Sequence, residues 1–287
     1  MTNGVVYYNV GEKMAVRLAV SVHTLRKVYD GPITILSEGM PSHAFCGPIA
    51  KRYGCNVQDT VFNATEGKNT TYLNACLVGE HTPYDTTVWL DSDTTIHRRF
   101  DELFEAANRN DFAIAQFADW KTKHKKHPEK LSKIGGRIEC WRGILPDHWL
   151  QRAIEFGPAI NCGVFAFNKR SSLVRDWHEL ARKGQFDSFI PDEVCCQIML
   201  AQPEYKCEIM PQHFNCSCKY SDPWEDEVRI VHYHGRKHAR FEGGHPQYNS
   251  DIWYAQFQQI RDWEIVQDYI SKDRQLRNNL KEWDKWR

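Results

Sequence analysis

The sequence has no surplus of either charge: 37 Lys and Arg stand against 37 Asp and Glu over 287 residues. A whole-molecule basic field for nucleic acid is therefore excluded, while local patches stay open. Nor is there any apolar run near the length of a membrane span. The start, Met-Thr-Asn-Gly before Val-Val-Tyr-Tyr, lacks the charged region and apolar core of a secretory signal. No transmembrane segment is expected. The ten cysteines form no paired Cys-x-x-Cys set, since neither Cys195-Cys196 nor Cys216-Ser217-Cys218 has a second half. Reduced thiols and a cytoplasmic setting are the expectation. There is no internal repeat. What the chain does have is 13% aromatic and 41% apolar content, enough for one large core or two small ones and too much for disorder.

Pattern then gives the class. Gly4 to Val10 reads as a strand, and Glu12 to Val28 as a helix with Met14, Leu18, Val22 and Leu25 on one face. Gly31-Pro32 breaks that helix before a strand over Ile33 to Leu36. Strand, helix and strand with short connections make a βαβ unit of a parallel sheet. The alternation continues with a helix from Pro41 through Ala50, a strand near Cys55 to Val61, a helix over Lys68 to Val78 and a central strand over Thr86 to Asp91. A helix from Asp101 and a strand over Phe112 to Phe117 follow. Ala159 to Phe167 reads as a strand interrupted at Asn161 and Gly163, where a bulge or a close ligand is expected. Helices over Ser172 to Arg182 and from Pro191, then strands over Cys207 to Met210 and Arg229 to Tyr233, complete the sheet. The class is α/β: a Rossmann-like, mostly parallel sheet flanked by helices, as a domain over 1–245. Residues 246–287 form an amphipathic helical extension, whose stripe of Trp253, Phe257 and Ile260, then Tyr269, Ile270, Leu276, Leu280 and Trp283, serves core packing or an oligomer contact.

Two stretches carry chemistry. Thr86-Thr87-Val88-Trp89-Leu90-Asp91-Ser92-Asp93 is a β-rich run ending in two carboxylates, at the strand edge where open α/β sheets place ligands and where hard cations find oxygen. An Asp-rich turn is by itself commonly only a solvated turn. The run His232-Tyr233-His234-Gly235-Arg236-Lys237 ends the last predicted strand, where the sheet can bring it beside Asp91 and Asp93. Two carboxylates and an imidazole suit Mn²⁺ or Mg²⁺, while Gly235 and Lys237 suit a diphosphate. Trp120 to Arg142 is rich in Lys and Arg, either a solvated loop or, over Lys121 to Lys133, a flap hinged at Gly135-Gly136 for an anionic partner.

In that order these motifs resemble the GT-A glycosyltransferases, and among them the retaining glycogenin-like and lipopolysaccharide galactosyltransferase-like group, family eight. The resemblance runs over about residues 4–240. It implies Asp91, Asp93 and His232 as ligands of Mn²⁺ (or Mg²⁺), with Asp91 also near the ribose of a nucleoside-diphosphate sugar such as a UDP-sugar. It places Tyr8 and Asn9 near the base, Gly235 and Lys237 at the diphosphate, and Lys68 toward the donor. Asn161 and Gly163 of the Asn-Cys-Gly-Val run would meet the donor sugar, with Asp192 beside the anomeric carbon. The chain departs from the group at Glu193, where Gln is usual, and at His238-Ala239, where Pro-Trp is usual. The acceptor is expected to be anionic: a glycan, a phosphorylated lipid or DNA. Two other functions compete, a glycosyltransferase for modified DNA bases and a non-catalytic nucleotide-sugar-binding protein.

Overall fold

Strand β1 (Asn3–Val10) is buried on both sides, as its unbroken Val-Val-Tyr-Tyr run requires. It pairs in parallel with β2 (Ile33–Glu38), and β2 with β3 (Asn56–Asp59). Helices α1 (Ala15–Arg26) and α2 (Met40–Tyr53) make the two crossovers. The structure, a computed structural model, describes residues 1–60, 74–116, 137–156, 160–183, 191–218, 227–234, 238–242, 244–247 and 249–286. Beyond β3 come α3 (Asn74–His81), β4 (Thr86–Leu90), β5 (Thr94–Ile96), α4 (Asp101–Asn110), β6 (Phe112–Gln116) and α5 (Asp147–Glu155). Then follow β7 (Ile160–Asn168), α6 (Ser172–Lys183), α7 (Pro191–Leu200), β8 (Cys207–Met210), β9 (Cys216–Ser217) and β10 (Ile230–His232). The hairpin β11 (Phe241–Glu242) with β12 (His245–Pro246) precedes helices α8 (Ser250–Gln258), α9 (Glu264–Lys272) and α10 (Arg274–Trp286). The main sheet has seven strands in the order β3-β2-β1-β4-β7-β6-β8.

One expected pairing is different. Arg229 to Tyr233 was expected to complete the main sheet, but β10 belongs to a three-stranded sheet ordered β5-β10-β9. The reason is β5, which re-forms immediately after the Asp91-Ser92-Asp93 turn and pairs antiparallel with β10, Thr94 opposite His232. At three residues β5 is too short to show a strand period, so the sequence offered β10 no partner but the main sheet.

The residues fall into two compact units. The first comprises Met1–Gly4, Phe62–Trp89 and Asp101–Gln212. Its core is aromatic: the Phe165 ring sits 5.6 Å from Phe112, 5.9 Å from Trp89 and 5.4 Å from Trp177. Trp177 Nε1 also donates to the Asp192 carbonyl at 2.8 Å, tying α6 to the start of α7. Strand β7 is irregular where Asn161 and Gly163 interrupt its pattern. Ile114 of β6 pairs with Phe165 but Gln116 pairs with Ile160, so β7 bulges between those two residues.

The second unit comprises Val5–Val61, Leu90–Phe100 and His213–Arg287. Its helix α1 is buried from Ala15 to Leu25 with a single partial exception, far more than the one stripe read from Met14, Leu18, Val22 and Leu25. Helices α8 and α9 cover its other side. A helix enclosed in this way must be apolar or hydrogen-bonded all round, and Val16, Ala19, Val20, Ser21 and Thr24 meet that demand. The C-terminal stripe is therefore consumed within the chain. Trp253 stacks on Phe257 at 5.2 Å and Tyr254 on Trp283 at 4.4 Å, while Trp283 Nε1 donates to the Ala239 carbonyl. No helix among the described residues is long and apolar enough to cross a membrane. The segment 117–136, with most of the basic cluster and Gly135-Gly136, lies outside the described residues, and so does the expected start of α3. Arg142, the last member of that cluster, is engaged by Glu139 and Asp147.

In the first unit, a Cβ on Gly4 would lie 2.3 Å from the ring of the buried Tyr84. Gly4→Ala is expected to cost about 1–3 kcal/mol by forcing that ring aside, measured as a lower denaturation midpoint at unchanged slope. An unchanged midpoint would mean that the ring yields freely.

Candidate metal and nucleotide site

The site is built on the turn that separates β4 from β5. Strand β4 is buried along its whole length, and the chain leaves it at Asp91 into a turn closed by Thr94, whose Oγ1 donates to the Asp91 carbonyl at 2.8 Å. Three further ties hold this turn. Ser92 Oγ donates to the Tyr8 carbonyl at 3.2 Å, reaching β1. Thr94 Oγ1 shares a hydrogen bond with Ser21 of α1 at 2.9 Å, and Ser21 in turn with the Tyr7 hydroxyl at 2.9 Å. Tyr233 N donates to the Asp93 carbonyl at 2.9 Å, reaching the end of β10.

Held in this way, Asp91, Asp93 and His232 converge. His232 Nε2 lies 3.1 Å from Asp93 Oδ1 and 3.6 Å from Asp91 Oδ2, and one ligand atom from each residue lies within 4.8 Å of the others. Among the described residues this is the one group of three or more His, Cys, Asp or Glu side chains with such a geometry. His232 and Asp93 are buried, whereas the Asp91 side chain is 39% exposed, so the cluster opens on its Asp91 side. Two carboxylates at this range repel each other, and a divalent cation balances their charge. The donor set, two oxygen ligands and one imidazole with open positions left over, fits a borderline-hard ion.

The other expected residues divide between the two units. In the second, Tyr8 and Asn9 end β1 next to Ser92. Tyr8 OH donates to Glu38 Oε2 at 2.5 Å, and burial together with that carboxylate drives its pKa upward, so it stays a neutral donor. Asn9 is buried, and its amide donates to Gly11 O at 3.1 Å and Ser42 Oγ at 2.8 Å, holding the turn that leaves β1.

In the first unit, Asn161 Oδ1 accepts from Gly163 N at 3.0 Å and Asn161 Nδ2 donates to Glu193 Oε2 at 2.9 Å. The acid pair thus splits in role: Glu193 is half-buried and bonded to Asn161, while Asp192 is 7% exposed. Burial first, then the neighbouring Cys196 and the two carboxylates, pushes the Cys162 thiol up, so it stays protonated. None of the ten cysteines forms a disulfide, and none takes part in the metal-like cluster. Lys68, Gly235 and Lys237 lie outside the described residues. Sequence reasoning did not pick out Glu193 as the partner of Asn161. It also passed over Asn215, whose Oδ1 stands 3.1 Å from His232 Nδ1. Glu193 stood out in the sequence only as a departure from the usual Gln, and Asn215 belongs to no spacing pattern that would single it out.

No sequence-family profile matches the chain, and no curated protein does. Solved structures do. The apo structure of the bifunctional glycosyltransferase WbbM superposes at a TM-score of 0.63 with 12% identity, over 95% of this chain and 52% of that one. The glycosyltransferase GlyE of Streptococcus pneumoniae TIGR4 gives 0.59 with 16% identity, over 95% and 64%. The galactosyltransferase LgtC, solved with donor and acceptor sugar analogs, gives 0.57 with 14% identity, over 89% and 95%. The fold is that of the GT-A glycosyltransferases. The chain spans about half of the WbbM structure and under two thirds of GlyE.

A cation that binds only the folded chain must stabilise it. Titrating Mn²⁺ into metal-free protein is expected to raise the melting temperature, the gain reaching about 2.7 kcal/mol at ~100 times the dissociation constant. Asp93→Ala should abolish this gain without lowering the metal-free melting temperature, because the carboxylate it removes faces another at short range. A metal-dependent shift that survives in Asp93→Ala would place the ion elsewhere.

Proposed function

We propose that the protein is a metal-dependent glycosyltransferase that moves a sugar, with retention, from a nucleoside-diphosphate sugar, a UDP-sugar in the first instance, to a hydroxyl acceptor. The observation that carries this reading is the Asp91, Asp93 and His232 cluster at the end of β4 in a GT-A sheet. Mn²⁺, or Mg²⁺ in its place, would be held by these three side chains, and when bound supplies positive charge to the leaving diphosphate.

The chain's own residues then have separable tasks. Breaking the bond from the anomeric carbon to the diphosphate develops positive charge on the ring and negative charge on the phosphate. Gly235 lets backbone approach the diphosphate, and Lys237 brings it a point charge. Tyr8, Asn9 and Lys68 serve the donor, Tyr8 as the neutral hydroxyl described above, Asn9 by holding its turn. Asp91, the exposed member of the cluster, also reaches the ribose. On the sugar side, Asn161 and Gly163 hold the donor, and a carboxylate of the pair Asp192 and Glu193 faces the charge that grows at the anomeric carbon. The bond between Asn161 and Glu193 supports Glu193 as the member that orients Asn161. The acceptor is anionic in this reading, met by the basic residues between Trp120 and Arg142.

The deciding measurement is release of free nucleoside diphosphate from a panel of nucleotide sugars, with and without Mn²⁺. Release from at least one donor, dependent on the ion and abolished in Asp93→Ala, is expected; His232→Ala should retain a fraction, having lost one ligand of three. Binding of a nucleotide sugar without turnover of any donor would establish the non-catalytic alternative instead. Among active donors, Asp192→Asn should lower kcat more than it raises donor KM, as a group acting on developing charge requires. A large rise in KM at constant kcat would assign Asp192 to binding.

A further inference from the structure

Strand β9 is two residues long, yet it lies parallel to β10 with Cys216 opposite Val231 and Ser217 opposite His232. Asn215, immediately before β9, and Ser217, within it, each meet one imidazole, those of His232 and His234, whose rings stand 4.1 Å apart. Asn215 Oδ1 is 3.1 Å from His232 Nδ1, and Ser217 Oγ is 2.9 Å from His234 Nε2. The backbone around His232 is fixed as well, since Cys218 N donates to the His232 carbonyl at 3.0 Å and Tyr233 N to the Asp93 carbonyl at 2.9 Å. What the backbone leaves open is the rotation of the ring and the position of its proton.

We infer that Asn215 is the positioning residue that makes His232 a metal ligand, by holding the proton on Nδ1 and turning the lone pair of Nε2 toward Asp91 and Asp93. This rests on the metal-site reading above. A neutral imidazole has one N–H and one lone pair, and the partner of one nitrogen decides the state of the other. Asp93 Oδ1 stands at the same 3.1 Å from Nε2, so once a cation takes the Nε2 lone pair, the oxygen acceptor at Nδ1 calls for the N–H there. Asn215 is fully buried and His232 is 2% exposed, so no solvent replaces the bond if it is lost. An N–H abandoned in such a place bears its full desolvation penalty, which favours rotation of the ring out of the cluster.

The test compares Mn²⁺ affinity by calorimetry in the wild type, Asn215→Leu, Asn215→Asp, His232→Gln and the double variant Asn215→Leu with His232→Gln. A second readout, on metal-free protein, is the imidazole proton of His232 by NMR. Asn215→Leu, close in volume but unable to accept, is expected to weaken Mn²⁺ binding by about 10–100-fold. Asn215→Asp accepts and cannot donate, so it should stay within several-fold of wild type. In the His232→Gln background Asn215→Leu should change nothing further. The wild-type spectrum should show an exchange-protected proton on Nδ1 that Asn215→Leu loses. Equal loss in both backgrounds would mean a merely structural role, and Asn215→Asp failing like Asn215→Leu would mean that Asn215 donates; either overturns the inference. If the wild type binds no Mn²⁺, the functional reading falls on its own. The Nδ1 proton then decides alone, and its absence overturns the role given to Asn215. Should Asn215→Leu not fold, the wild-type proton and the affinity of Asn215→Asp decide.

Discussion

The structure of the site depends on a hydroxyl, Thr94 Oγ1, bonded both to the Asp91 carbonyl and to Ser21 of α1. The carboxylates of Asp91 and Asp93 offer oxygens within 4.8 Å of each other, and two such charges repel by about 3–4 kcal/mol at an effective dielectric near 20, less where one of them is solvated as Asp91 is. Without an ion, a free loop would relieve this by swinging one of them away. The ties through Thr94, Ser92 and Tyr233 oppose that, each contributing about 0.5–1.5 kcal/mol. Their sum is comparable with the repulsion they restrain. The turn is therefore held by its own hydrogen bonds, and the polar chain from Tyr7 through Ser21 to Thr94 carries that restraint into α1.

Most of the layer order was legible because long elements carry their own period. The βαβ start, β4, α4, β7 and α7 all announce themselves through apolar runs, acidic first turns or helix-opening proline. The three metal-like residues were legible for a different reason: Asp91 and Asp93 stand at a strand end, and His232 at another. What failed was the pairing that joins them, because β5 and β9 have three and two residues and no alternation to read. Their existence follows from tertiary partners, Thr94 opposite His232 and Cys216 opposite Val231. Asn215 was hidden in the same way, since a side-chain pair across 17 positions leaves no local trace. α5 escaped notice because its nine residues follow a stretch dominated by charge.

The amphipathic C-terminus shows how a correct pattern can still be misplaced. Its aromatic face was readable, but the surface it covers was not, because α1 displays as a stripe only three of its ten buried residues, Leu18, Val22 and Leu25. The rest are Arg17, small apolar side chains, and Ser21 and Thr24, which leave no stripe in a helical pattern. Those same two hydroxyls bond to Thr94 and to the Ile96 amide. So α1 has two faces with separate tasks, one against the C-terminal helices and one against the β5 segment that follows the turn.

Because the second unit is assembled from three separated stretches of chain, its order of appearance during synthesis matters. Asp91 and Asp93 leave the ribosome more than a hundred residues before Asn215 and His232 do. Through that interval the nascent chain carries the two carboxylates without the imidazole, and α1 without the helices that cover it. The Asp91, Asp93 and His232 group is thereby incomplete until the last segment has folded back, and a chain interrupted before β9, which lacks His232, could not form it.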